Sequence, residues 1–193
     1  MEDPVLFALA VLAVLGTPGP TNTLLATAGA TAGVRRALPL IPAEAAGYTI
    51  SILTLGLALG PAMARTPVLA GALRVAVGAY LLLLALRLWR RGASAMATGG
   101  VVTPAQVFIT TLLNPKAIVF ALGILPFGTG RNVWPYMLGF LTLLTSVALA
   151  WIAAGTMLGA AAARRGWGWV VPRVGAAAVG GFALVLLVVP LLR

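Results

Sequence analysis

Residues able to do chemistry are few in this chain, and they gather first at Asn114-Pro115-Lys116. The triplet interrupts an apolar run from about Thr103 to Phe127. Pro115 has no amide N–H and clashes with the preceding turn, so a helix must break or kink there. Asn114 suits the N-cap of a new half-helix, and Pro115 its first position. The free amides and positive dipole end of that half-helix then point into the middle of the run. Lys116 adds a full positive charge at the same depth. The run exceeds the ~20 residues that cross a bilayer. Exposed backbone and charge are tolerated there only against protein or a water-filled cavity. The chemistry this implies is capture of an anion or carboxylate by a membrane-buried cation on a broken helix. The plainer alternative is a kink carrying a structural lysine.

A second break has the same character. Gly16-Thr17-Pro18-Gly19-Pro20-Thr21-Asn22 interrupts the first apolar run, about Pro4 to Ala32. Its prolines and glycines will end a helix near mid-membrane. Thr17 before Pro18 is expected to cap the second half-helix, as Asn114 does before Pro115. A substrate carboxylate would meet Thr17, Pro18, Gly19, Pro20, Thr21, Asn22, Asn114, Pro115 and Lys116, together with the free amides of both half-helices. Unwound carbonyls and the C-terminal ends of the first half-helices would suit an ammonium, so the pair of breaks favours a small zwitterion.

Glu44 is the one acid within an apolar run; the other two are Glu2 and Asp3. Burial disfavours a bare carboxylate, which suits a proton carrier or ammonium ligand coupling transport to protons. If Pro42 is the first helical residue, Glu44 is instead a first-turn acid that suits the helix dipole. It could also pair with Arg35 or Arg36. Tyr48, Phe120 and Trp151 could line a cavity, although packing is the favoured reading of all three. Gly29, Gly33, Gly47, Gly56 and Gly78 allow close helix approach.

Around these residues the chain is 61% hydrophobic and 8% charged over 193 residues, which excludes a soluble globular domain. Its net charge of +10 comes from arginines set between apolar runs. The lipid bilayer, not nucleic acid, is therefore the expected partner. Cysteine and histidine are absent. Thiol redox chemistry, Cys/His metal sites and His-dependent nucleophiles are excluded, and three acids leave little for a carboxylate pair. Neither an enzyme nor a metal or other cofactor is expected. The acidic start of the chain is unlike a signal-peptide n-region, so the first run should stay as a span.

Six apolar runs follow, each long enough to cross a membrane. They lie at about Pro4–Ala32, Leu38–Met63, Leu69–Trp89, Thr103–Phe127, Trp134–Ala162 and Val174–Leu192. Trp134, Trp167 and Trp169 fall near run ends, where aromatic belts form. The loops after runs one, three and five hold Arg35, Arg36, Arg87, Arg90, Arg91, Arg164, Arg165 and Arg173; the other side holds Arg65, Arg74, Arg131 and Arg193. This bias places the first set in the cytoplasm and both termini outside.

Pro18 and Pro115 are 97 positions apart, half the chain, and Arg74-Val75 and Arg173-Val174 are 99 apart. Three spans per half put the halves in opposite orientations. The expected fold is therefore one all-α polytopic membrane domain, residues 1–193. It contains six transmembrane helices as two inverted three-helix repeats (1–97 and 98–193), with helices 1 and 4 broken at mid-membrane.

These residues resemble the lysine-exporter (LysE/RhtB) family of amino-acid exporters. The resemblance lies in Pro18-Gly19-Pro20, Gly33-Val34-Arg35-Arg36, Gly78-Ala79-Tyr80-Leu81 and the stretch from Phe108 through Leu113-Asn114-Pro115-Lys116-Ala117. Phe120, Leu125-Pro126-Phe127 and Trp151 extend it. It covers the whole chain in order. One departure is that the family often carries a Gly-Asp pair in span two, where this chain has Gly47-Tyr48 and an acid one turn earlier, Glu44. The resemblance implies a bacterial inner-membrane exporter of amino acids or related metabolites, driven by the proton gradient. The alternatives are a carrier of another small anion or solute, for which Lys116 alone suffices, and a non-transporting scaffold subunit. A homo-oligomer is compatible with either.

Overall fold

The computed structural model describes residues 3–59, 102–127 and 132–165, with scattered helical positions between 75 and 90 and between 173 and 184. Among the described residues the chain is all-helical, without strands. Most of runs three and six, Trp167, Trp169, Arg74 and several of the counted arginines lie outside them.

Local chemistry sets the helix starts. Asp3 accepts from the amides of Val5 and Leu6, and Pro4 opens α1 (Pro4–Gly16). Pro20 opens α2 (Pro20–Ala32). Gly33 ends α2 with φ +79°, a left-handed conformation that glycine adopts without penalty, while its amide bonds to Gly29. A short α3 (Val34–Ala37) leads into α4 (Leu40–Thr54), which closes in a π-helical turn, Leu55–Leu59. Thr103 caps α5 (Pro104–Leu112) through the Gln106 amide. After the Asn114-Pro115 break come α6 (Lys116–Val119) and a second π-helical turn, Phe120–Ile124. Asn132 accepts from the Trp134 amide at the start of α7 (Trp134–Arg164).

Val34–Ala58 and Trp134–Ala161 are long and apolar enough to cross a membrane. The pair α1–α2 qualifies as a third span if read as one helix bent by 66°. Large apolar side chains such as Leu6, Leu9, Leu57, Leu138 and Met157 stay exposed, as a lipid-facing surface requires.

Inside, apolar residues form two clusters. Phe7, Val11, Leu15, Tyr48, Ile52, Ala117, Phe120, Phe140 and Leu144 build one. Leu24, Leu25, Leu40, Ile41, Val107, Ala148 and Ile152 belong to the other. Tyr48, Phe120 and Phe140 meet edge to face at 4.8–5.8 Å between ring centroids, and Trp151 packs on the second cluster. Packing therefore accounts for Phe120 and Trp151. Their order along each helix gives direction. α1–α2 and α7 run from the first cluster to the second; α4 and α5–α6 run from the second to the first.

Helices α2 and α7 cross with their backbones in close contact. A Cβ on Gly29 would fall on the Ile152 backbone, one on Gly155 on Ala26 and one on Gly159 on Ala30. Thr156 Oγ1 donates to the Gly29 carbonyl at 3.0 Å across the same contact. Paired in this order, the two helices are parallel, and Arg35, Arg36, Arg164 and Arg165 emerge at one end.

Candidate functional site

Between the two apolar clusters, every traversing segment among the described residues but α7 contributes polar groups. Thr17, Thr21 and Asn22 come from the α1–α2 break, Glu44 from α4, and Thr111, Asn114 and Lys116 from the α5–α6 break. Thr21, Asn22, Glu44, Thr111, Asn114 and Lys116 are all buried. A polar layer at the boundary of two apolar cores is expensive unless its members satisfy one another.

Asn114 does most of that. Its Oδ1 accepts the Lys116 amide at 3.1 Å, so it caps the second half-helix. Its Nδ2 donates to Thr21 Oγ1 at 3.1 Å and to Tyr48 Oη at 3.0 Å. Thr21 and Thr111 share a hydroxyl–hydroxyl bond at 3.2 Å. One amide thus ties together α2, α4 and the break before α6.

Lys116 reaches across to the other break. Its Nζ donates to the Thr17 carbonyl at 2.5 Å, at the negative end of α1. Asn22 Nδ2 donates to the same carbonyl at 2.9 Å and to the Leu15 carbonyl at 2.6 Å. The two discontinuous helices are interlocked at their breaks.

One sequence expectation and one alternative reading fail here. Thr17 does not cap the second half-helix. Its hydroxyl donates back to the Val14 carbonyl at 2.7 Å, its side chain is exposed, and α2 begins at Pro20 after Gly19, with no side-chain cap. The second proline, not the first, starts the helix, because Gly19 is extended (φ −168°) and cannot be a helical residue. Nor is Glu44 a first-turn acid. α4 begins at Leu40, and Pro42 sits within its first turn, where a missing N–H removes no bond. Glu44 therefore lies in the second turn, 1% exposed. It does not pair with Arg35 or Arg36, which are exposed, and its Oε2 meets no hydrogen-bond partner among the described residues.

The remaining residues of the expected set are placed as follows. Gly19 and Pro20 are buried at the break and Pro18 is exposed; Pro115 precedes Lys116 at the start of α6. Glu44 and Lys116 interact electrostatically across the α4–α6 contact. Thr111 was not among the expected residues. The signal for it is a polar Thr110-Thr111 pair one turn before Asn114 in an apolar run. Tyr48, read as cavity lining or packing, is both packed and bonded to Asn114.

A separate apolar groove of about 530 Å³ lies between α1 and α7, lined by residues including Phe7, Tyr136 and Leu143. It shares no residue with the polar layer, and in a bilayer acyl chains would fill it.

Chemically, the layer holds one buried cation, one buried carboxylate with an unused oxygen, and an uncapped helix N-terminus at α2. Such a set can bind and release small charged groups. It has no nucleophile–base pair among the described residues. In comparison with known proteins, the chain matches no family model, no curated protein and no solved structure.

Proposed function

We propose that the chain is a secondary transporter exporting amino acids or related small zwitterions across a bacterial inner membrane. The observation that carries this reading is the interlock of two broken helices at a buried polar layer containing Lys116 and Glu44. Helices broken beside a charge serve transport, because the freed backbone groups bind ions and charged substrates. A scaffold gains nothing from them.

The helix directions support six spans arranged as inverted repeats. α1–α2 and α5–α6, the two broken spans, run oppositely between the same two apolar clusters. α7 runs parallel to α2, as a fifth span must if spans alternate. The emergence of Arg35, Arg36, Arg164 and Arg165 at one end supports a cytoplasmic assignment for that end and outside termini. The resemblance to lysine exporters points the same way.

In this reading a substrate carboxylate displaces the Thr17 carbonyl from Lys116 and meets the amides at the start of α2. Glu44 receives the ammonium or a proton and links substrate movement to the proton gradient. A carrier of another small anion would use Lys116 and leave Glu44 idle; the orphaned Glu44 oxygen favours the zwitterion. Counterflow into proteoliposomes loaded with a panel of unlabelled amino acids tests the function. Saturable, self-specific uptake of one or a few is expected. No counterflow of any amino acid, with uptake of a simple carboxylate, would shift the assignment to the anion carrier.

A further inference from the structure

Gly19 raises a question that its backbone does not answer. Its φ of −168° is available to any residue. Yet a Cβ there would lie 3.1 Å from Lys116 Cε and 3.2 Å from Nζ. The glycine makes room for a lysine that crosses from the other half of the chain to bond Thr17.

The Thr17 carbonyl has two donors, Lys116 and Asn22. Asn22 belongs to the first turn of α2, so its bonds to Leu15 and Thr17 join α1 to α2 directly. Removing Lys116 leaves that carbonyl satisfied by Asn22. The lysine can therefore leave without orphaning a buried acceptor, which would otherwise oppose release. A second partner waits for it. Glu44 interacts with Lys116 electrostatically, and its Oε2 is buried without a hydrogen bond. Among the described residues the titratable group that acts on Lys116 is Glu44, on α4; Tyr48, on the same helix, acts on Glu44, and its Oη is held by Asn114.

We propose that Lys116 is a movable strap: seated over Gly19 on the Thr17 carbonyl it fixes the bend between α1 and α2, and transferred to the Glu44 carboxylate or a substrate carboxylate it frees that bend. The strap deepens the transport reading and rests on it for its purpose, but its motion can be measured without transport. It makes the break in span one answer to what happens at the break in span four, a coupling between two discrete arrangements.

The absence of cysteine makes the test direct. Nitroxide labels at Leu9→Cys and Thr31→Cys, both exposed positions, report the bend by pulsed electron spin resonance in lipid nanodiscs. A change of roughly 15° in the bend moves position 31, about 17 Å along α2, by about 4 Å. Gly19→Val keeps every charge and adds branches beyond a Cβ that already lies 3.1 Å from Lys116 Cε, which pushes the lysine off its seat. It should broaden or shift the distance distribution by that amount, as should Lys116→Met. Glu44→Gln removes the competing partner and should leave one narrow, strapped distance. Gly16→Ala, with nothing within 4 Å of the added carbon, should match the parent. An unchanged distribution in Gly19→Val overturns the proposal, even if Lys116→Met shifts it. A Glu44→Gln distribution that moves with that of Lys116→Met also overturns it. If the distances behave as expected and counterflow fails for every amino acid, the strap stands and the transport reading falls.

Discussion

Lys116 Nζ donates to the Thr17 carbonyl, so the break in one half of the chain is closed by a charge from the break in the other half. The contact joins positions 99 residues apart. It is a charge-assisted bond in a buried layer, and such bonds are about twice as strong as neutral ones. It also means that the lysine is not an idle cation awaiting an anion; any anion must compete with a carbonyl.

Lys116→Ala should therefore abolish counterflow while the protein still inserts. Truncating a buried charged partner costs about 2–5 kcal/mol, or about 30-fold and upward in affinity. Lys116→Arg should also impair transport, because the broader guanidinium does not fit where a single added carbon on Gly19 already crowds the ammonium. Normal counterflow by Lys116→Ala would remove this residue from the site.

Asn114→Ala should destabilise the fold as well as the site. It loses the cap on Lys116, about 1 kcal/mol. It also leaves Thr21 and Tyr48 without their donor in a buried layer, which adds about 1–3 kcal/mol. Asn114→Asp keeps the capping oxygen but loses the donor, and should fall between the two. Thermal aggregation monitored by size exclusion ranks the three proteins; an Asn114→Ala protein as stable as the parent would mean that the network contributes nothing.

Local chemistry was legible in the sequence where partners are near in the chain. Asn114 as a cap follows from Asn-Pro two residues before the amide that donates to it, and Pro4 and Pro20 open helices where a proline fits. The α2 start was misplaced because two prolines compete and the extended Gly19 between them decides. Of the two readings of Glu44, the first-turn acid fails because first-turn amides are free anyway, so Pro42 need not start the helix, and the helix begins earlier. What a sequence could not reveal is pairing across the halves. Thr21 with Thr111, Asn114 with Tyr48 and Lys116 with Thr17 depend on how α2, α4 and α6 cross, and that depends on both apolar clusters at once.

Gly155→Ala should be among the most damaging single-methyl changes. Its Cβ would fall on the Ala26 backbone, which cannot move aside as a flexible side chain can. Overpacking of this kind costs about 1–3 kcal/mol, and the Thr156 bond to Gly29 would be strained with it. Gly16→Ala, facing open space in a helix, should be neutral or stabilising by about 0.5–1 kcal/mol. Equal melting behaviour of the two variants would contradict the close α2–α7 crossing.

Orientation can be read by chemistry at the ends of parallel helices. Single cysteines at Arg36 and Arg165 should react with a membrane-impermeant maleimide only in inverted vesicles, and Val5→Cys only in intact spheroplasts. Opposite labelling of Arg36→Cys and Arg165→Cys would break the parallel arrangement of α2 and α7. Joint labelling from outside would keep that arrangement and reverse the topology.

In the proposed transporter, Glu44 is the residue assigned to energy coupling. It is buried in the second turn of α4, with one carboxylate oxygen unbonded, and its strongest charged neighbour is Lys116. An unsatisfied polar atom in a native core is costly, typically about 1–3 kcal/mol, and a purely structural residue there would be better replaced by an apolar one. Its retention makes sense if the oxygen is used in another state, by a proton, an ammonium group or the lysine. Glu44→Gln mimics the protonated form. It should preserve substrate exchange across the membrane, because the proposed carboxylate site at Lys116 and the α2 amides is left intact. It should lose accumulation driven by an imposed pH gradient, because the group can no longer release its proton. Uptake into inverted vesicles with and without that gradient separates the two. Full gradient-driven accumulation by Glu44→Gln would assign coupling elsewhere. Loss of exchange together with accumulation would make Glu44 a substrate ligand instead.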